Sequence, residues 1–297
     1  MRDLIVNAGG APLLGAYVVP EEADRETAAA PAADVLSAGA DLLITATSGP
    51  ERSRYTSTNQ SIDLAAACQN RADIPALATV TTWSRTVTAL QAHLLGGHAR
   101  GVTRLVCGNG SPPPTWHHSS VEGRWAVDVV ELIELLRGLN EGKDRYGLRV
   151  DVPTHFDIGV RIRAVPTLTA EDRARTRRKI AAGAHFIVTS PVYTTSALEP
   201  LLEVVDGAVP VLAAVHQLRS LTEARRLQAE LPGGCVPDSL IDRLDRARGD
   251  AEEDGAQIVV ELAAALSDIA QGVILSRADR PDTVARMRAA VARPAVS

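Results

Sequence analysis

The feature that most constrains this chain is one alternation repeated eight times: a short run of Val, Ile, Leu and Ala, a polar turn, then a longer stretch with helical spacing. A strand that must be followed by a helix before the next strand cannot close a hairpin, so its partners run parallel. The strand runs fall near Leu13–Pro20, Ala40–Thr47, Ile74–Thr82, Arg104–Asn109, His155–Ile162, Phe186–Pro191, Val209–His216 and Gly272–Ser276. Helical spacing follows over Arg25–Ala38, Ser61–Asn70, Ser84–His98, Val127–Leu139, Ala170–Ala182, Ser196–Val205, Thr222–Leu231 and Pro281–Ala292. The segment Pro237–Ala270 adds two further helices before the last strand. Eight βα units in 297 residues fit a single (βα)8 TIM barrel spanning 1–297, with those extra helices before the last strand. An open doubly wound sheet gives the same alternation and stays as the rival architecture.

Strands covered on both faces are apolar on both, and Ala40-Asp41-Leu42-Leu43-Ile44 and Phe186-Ile187-Val188 read that way. Aromatic residues are only 3% of the chain, so small aliphatic side chains must fill the core. The net charge of −5 is spread without a basic run, which argues against nucleic acid as a partner. Arginine dominates the cations, the only lysines being Lys143 and Lys179, and this bias reads as genome composition. Cys68, Cys107 and Cys235 are distant and odd in number, which suits reduced thiols in a cytoplasm. No apolar run approaches the roughly 18 residues of a membrane span, and the N-terminus lacks a signal pattern, so a cytoplasmic protein without a membrane partner is expected. The composition is also compatible with a homo-oligomer.

Three segments carry a resemblance. Arg178-Lys179 through Gly183-Ala184-His185-Phe186-Ile187-Val188-Thr189-Ser190, then Val209–Val215 with Leu218-Arg219-Ser220 and Glu230–Pro237, are similar to the sixth and seventh units of methylenetetrahydrofolate reductases. The likeness is strongest to reductase domains fused to homocysteine S-methyltransferases. Gly39-Ala40-Asp41 through Ile44-Thr45, with Glu51-Arg52-Ser53-Arg54, is similar to that family's second strand and its Glu-Arg-x-Arg turn. The resemblance implies a barrel that binds FAD, with NAD(P)H and a folate-like small molecule as substrates. It places Thr45 against the flavin, and Asp172, Arg178 and Lys179 along the ribityl, phosphate and adenosine portions of FAD. Charge-assisted hydrogen bonds from guanidinium and ammonium groups suit phosphate oxygens.

Several positions that the family uses for chemistry differ. The glutamate that donates a proton to the folate aligns with Ala16, in Ala16-Tyr17-Val18-Val19-Pro20, with Glu21 and Glu22 just beyond. The Arg-Gly-Asp-Pro-Pro loop aligns with Asn109-Gly110-Ser111-Pro112-Pro113, keeping shape and losing charge. Ser190 stands where a glutamine bonds the folate, and Thr79 where the third strand carries a histidine. The resemblance therefore supports either a reductase that has re-sited its acid, or a diverged folate- or pterin-binding barrel without reductase activity. In a flavin-free relative, Arg178 and Lys179 would serve only the last turn of a helix.

His118 and His117, after the proline loop, are the replacement acids the sequence offers, since imidazole titrates near neutrality. His216 and His155, at strand ends, are further imidazoles for the barrel mouth. Arg161 and Arg163 lie two apart on the fifth strand, share a face there, and suit an anionic substrate group. Cys107, flanked by apolar residues, reads as a buried hydrophobe, and no Cys, His or Asp spacing marks a metal site.

Overall fold

A computed structural model describes residues 1–7, 11–18, 32–45, 58–72, 74–82, 85–110, 127–230, 236–247, 250–276 and 280–291. Eight strands, β1 (Leu13–Val18), β2 (Leu42–Thr45), β3 (Ala76–Thr81), β4 (Arg104–Gly108), β5 (Asp157–Ile162), β6 (Phe186–Thr189), β7 (Val211–Val215) and β8 (Gly272–Leu275), pair in sequence order. Every pairing is parallel, and β1 also pairs with β8, so the sheet closes. Closure excludes the open doubly wound sheet. Each strand is found within its expected run, shorter by one or two residues at one end or both.

The helices follow the same plan: α1 (Arg2–Asn7), α2 (described over 32–37), α3 (Thr58–Ala72), α4 (Val87–Ala99), α5 (Val129–Asn140), α6 (Ala170–Ala182), α7 (Glu199–Val205), α8 (Leu221–Glu230), α9 (Asp238–Arg246), α10 (Ala251–Leu266) and α11 (Pro281–Val291). Two departures have local causes. The stretch expected as one helix over Ser196–Val205 splits into a 3-10 turn, Thr195–Ala197, and α7, with Pro200 near the start of α7. Proline has no N–H to give the preceding turn and is tolerated only where a helix begins. Helix α1 was not legible as a helix, because six residues show too little periodicity. It seats Met1, Leu4 and Ile5 against the inner cluster, and the N-terminal amine contacts the Asp157 carboxylate.

Alternation along the strands sorts side chains into two cores. Leu13, Tyr17, Leu42, Ile44, Leu77, Val106, Phe186, Val188, Leu212, Ala214 and Ile274 fill the barrel interior. Their neighbours, among them Leu14, Ala16, Leu43, Ala78, Leu105 and Val160, face the helices. Glycine makes room at two points. A Cβ on Gly159 would stand 2.3 Å from the Phe186 ring, so only glycine lets that ring fill the barrel there. A Cβ on Gly255 would stand 1.7 Å from the Leu218 carbonyl oxygen, so α10 rests backbone to backbone on the loop after β7. Gln217 ties the same loop to α10 through the Glu252 carbonyl and to α11 through the Thr283 hydroxyl. No helix among the described residues is long and apolar enough to cross a membrane.

Candidate functional site

Two polar regions lie at the C-terminal ends of the strands, where a barrel of this kind gathers its chemistry. The first is a cleft of about 600 Å3 on the outer side of β4 and β5. Its walls come from Asn109 after β4, Asp128 at the head of α5, Ile162 ending β5 with Arg163 just beyond it, and one face of α6. The α6 face is periodic: Asp172, Arg175, Thr176, Arg178 and Lys179 are spaced three or four apart, so they share one side. Helix α6 begins at Thr169, whose hydroxyl accepts from the Asp172 N–H at 3.1 Å, while the Asp172 carboxylate accepts from the Thr169 N–H at 3.2 Å. This capping box satisfies orphan donors of the first turn and fixes the register of the whole cationic face.

Charge in the cleft is unequal. Arg163, Arg175, Arg178 and Lys179 face Asp128 and Asp172, four cations against two carboxylates. The Thr169 hydroxyl, bonded to Asp172, holds that carboxyl below its ordinary range, so it stays ionised. Lys179 is half-buried, and its Nζ donates to the Arg161 carbonyl oxygen at 3.4 Å. Burial, and then the nearby Arg175 charge, lower its pKa. An ammonium so placed gains more from an arriving anion than one in bulk water. Arg178 is exposed, and Arg175 contacts Glu171 on the same helix. The cleft therefore brings together Asn109, Asp172, Arg178, Lys179 and Arg163 of the expected residues, and adds Arg175.

The second region is the barrel mouth. Closure of eight strands staggers the register by roughly one residue per strand, so alternate strands contribute to one layer. Following the pairings around, the uppermost complete layer of odd strands is Tyr17 on β1, Thr79 on β3, Arg161 on β5 and Ala214 on β7. The layers beneath are apolar, with Leu77, Leu212, Ile44, Val106, Val188 and Ile274. Arg161 reaches across the barrel and its Nη2 donates to the Tyr17 hydroxyl at 2.6 Å, with the guanidinium 5.2 Å from the Tyr17 ring centroid. Tyr17 is buried, whereas Arg161 is exposed toward the mouth. The Thr79 hydroxyl is buried and has no hydrogen-bond partner among the described residues.

This geometry corrects three expectations. Ala16 does not face the mouth: it packs against the helices, and Tyr17 is the inward residue of β1. A one-residue slip flips every side chain of a strand, and that slip is the difference between Ala16 and Tyr17. Arg161 and Arg163 do not share a face, because β5 ends at Ile162; Arg161 enters the barrel while Arg163 lines the outer cleft. His155 does not point into the mouth. It precedes β5 at the opposite end of the barrel, where its Nδ1 lies 2.9 Å from His98 Nε2.

Other expected residues are also placed. Thr45 is fully buried with its hydroxyl turned outward to α3, where it bonds the Ser61 carbonyl oxygen at 2.7 Å, so it is not brought to the cleft. Ser190, after β6, accepts from the Ala164 N–H at 3.3 Å. His216, after β7, is buried with Nε2 3.3 Å from Glu223 and Nδ1 without a partner among the described residues. Burial alone would raise the Glu223 pKa, but hydrogen bonds from His216 and from the Arg219 N–H hold it below the ordinary range. Cys107 is fully buried, and burial pushes its thiol up to about 12, so it behaves as the hydrophobe expected. Ser111, His117 and His118 lie outside the described residues. Among the described residues no group of three His, Cys, Asp or Glu side chains is arranged to hold a metal ion.

Residues 13–274 match the family described as Methylenetetrahydrofolate reductase. No curated protein matches by sequence. Among solved structures, similarity extends to an uncharacterized protein from Clostridium thermocellum that binds two copies of 5-methyl-5,6,7,8-tetrahydrofolic acid, with TM-score 0.62 and 13% identity over 98% of this chain and 96% of that one. Yersinia pestis DHPS, solved with a pterine-sulfa conjugate, has TM-score 0.52 and 14% identity over 95% of this chain and 93% of that one. Tryptophan synthase from M. tuberculosis has TM-score 0.52 and 14% identity over 99% and 98%. Likeness at such identities speaks for the shared fold alone.

Proposed function

Because the chain belongs to the methylenetetrahydrofolate reductase family, we propose that it is a flavin-dependent oxidoreductase that passes hydride from NAD(P)H through FAD to a methylene-folate or a related iminium-like substrate. The observation that carries this reading is the cation-rich cleft opening beside the barrel mouth. Its residues fit the phosphate end of a dinucleotide: four cations converge, and the half-buried Lys179 ammonium lacks a carboxylate partner among the described residues. Bound FAD would supply the hydride chemistry, and the protein its orientation. Lys179 and Arg178 hold phosphate oxygens, and Asp172 accepts hydroxyl protons of a polyol chain through lone pairs that Thr169 does not use. A folate-like ring then lies over the mouth. We assign the acid to His118 or His117. The thiols of Cys68 and Cys107 are free, which suits the reducing cytoplasm in which we place the protein.

A second reading is a folate- or pterin-binding barrel without reductase activity, flavin-free in its simplest form. It is favoured by the mouth layer, which carries a phenol and a guanidinium and no carboxylate. The spectrum of the purified protein separates the two. Flavin absorbance, or uptake of added FAD, with NAD(P)H-dependent bleaching supports the reductase. A colourless protein that takes up no FAD and still binds methyltetrahydrofolate overturns it in favour of the second. In an active preparation, His118→Ala lowers turnover with flavin content intact, and equal activity removes His118 as the acid.

A further inference from the structure

Deepening the folate reading, we propose that Tyr17, Thr79 and Arg161 form a floor that recognises the C4 carbonyl edge of a fused pyrimidinone ring. Below this layer the barrel interior is aliphatic or aromatic, and at this layer it turns polar on three strands out of four. A polar layer closing an apolar core needs partners. Only one contact within the layer supplies any.

That contact sets the direction of the remaining groups. A guanidinium only donates, so the Tyr17 oxygen is the acceptor at 2.6 Å and its own proton must be directed elsewhere. Arg161 makes no other side-chain hydrogen bond among the described residues, and its exposure toward the mouth leaves the rest of its planar fork for a ligand. The Thr79 hydroxyl, buried without a partner among the described residues, is an independent sign of a missing polar group, because desolvating a hydroxyl unpaired is costly. Ala214 completes the layer with a methyl group alone, so the β7 quarter offers an apolar contact and no competing polar group.

The ligand chemistry follows from the donors. Two N–H groups of a guanidinium can converge on one carbonyl oxygen, which has two lone pairs to accept them. A pterin keeps its C4 carbonyl whatever the oxidation state or substitution at N5, and the isoalloxazine of a flavin carries the same group. Replacing C4=O by an amino group would set N–H against N–H, which rejects the analogue.

The probes are 6-methylpterin and riboflavin, which carry the edge without a glutamyl tail or phosphates, and 2,4-diamino-6-methylpteridine, which lacks the carbonyl. Binding to the full chain is read by calorimetry. The proposal expects 6-methylpterin or riboflavin to bind at least about tenfold more tightly than the diamino compound, a gap of about 1.4 kcal/mol. Arg161→Met should erase both that preference and most of the affinity, Arg161→Lys should retain part of the affinity without the preference, and Tyr17→Phe should weaken binding less. Tighter binding of the pterin makes the floor the substrate's, and tighter binding of riboflavin makes it the cofactor ring's. Unchanged affinity and preference in Arg161→Met, with the fold intact by circular dichroism, overturns the floor. So does a wild-type chain that binds neither ring or prefers the diamino compound. A colourless chain that binds 6-methylpterin through Arg161 sinks the reductase and leaves the floor standing, whereas a yellow chain whose pterin binding ignores Arg161 does the reverse.

Discussion

Arg161 and Arg163 stand two residues apart, yet one looks into the barrel and the other into the cleft outside it. The two regions they enter are built differently. The cleft is an electrostatic site, with cations ranged along one helical face and set by a single cap. The mouth is a site of directed hydrogen bonds, with one guanidinium held against one phenol above an apolar core. The cleft therefore answers to charge, and the mouth to shape and donor direction. Lys179 joins them, since its ammonium lines the cleft while bonding the Arg161 carbonyl behind the floor.

The sharpest way to break this division is to remove charge from the cleft alone. Arg178→Ala with Lys179→Ala should weaken FAD retention by about 1.5–3 kcal/mol for each charged hydrogen bond lost, measured by equilibrium dialysis, while 6-methylpterin affinity stays constant. Lys179→Ala should account for the larger share, because Arg178 is exposed and its charge is screened by water. The pH dependence follows from the direction of the Lys179 shift. With its pKa lowered by burial, the ammonium is lost at a lower pH than in an ordinary lysine, so FAD affinity should fall on that alkaline limb. Lys179→Ala should flatten it. Equal loss of pterin binding in the double variant would show the two regions to be one.

The converse experiment disturbs the mouth. Gly159→Ala puts a Cβ into the Phe186 ring and 2.8 Å from the Leu105 carbonyl oxygen, two residues before Arg161 on the same strand. Overpacking of this kind costs about 1–3 kcal/mol, read from denaturant unfolding, and pterin affinity should fall more than FAD affinity. The smallest effect tests how the cleft is framed. Thr169→Ala removes the cap of α6 and should cost about 1 kcal/mol of stability, with FAD retention reduced slightly as the cationic face frays at its start. A destabilisation spread equally to pterin binding would argue against the separation.

The scaffold was legible because its signals are local and repeated. Every strand run is found in the barrel, and the capping box at Thr169 and Asp172 shows why helical spacing begins where it does. The cleft was partly legible for the same reason: Asp172, Arg178 and Lys179 share one face of a helix, and Arg175 could have been added from its spacing alone. The mouth was not. Which residue of Ala16 and Tyr17 faces inward depends on a register of one, and only closure of the barrel sets it. The meeting of Tyr17 with Arg161 joins residues 144 apart in sequence, which no local pattern could announce. The ladder's end at Ile162, which parts Arg161 from Arg163, is likewise a property of the sheet and not of the pentapeptide around it.

The absent side chain at Gly255 bears on how the entrance can move. With α10 resting on the Leu218 carbonyl, and Gln217 stitched to two helices, the rim beyond β7 acts as an anvil. A bulkier residue at 255 would lift α10 from that carbonyl and pry the anvil loose.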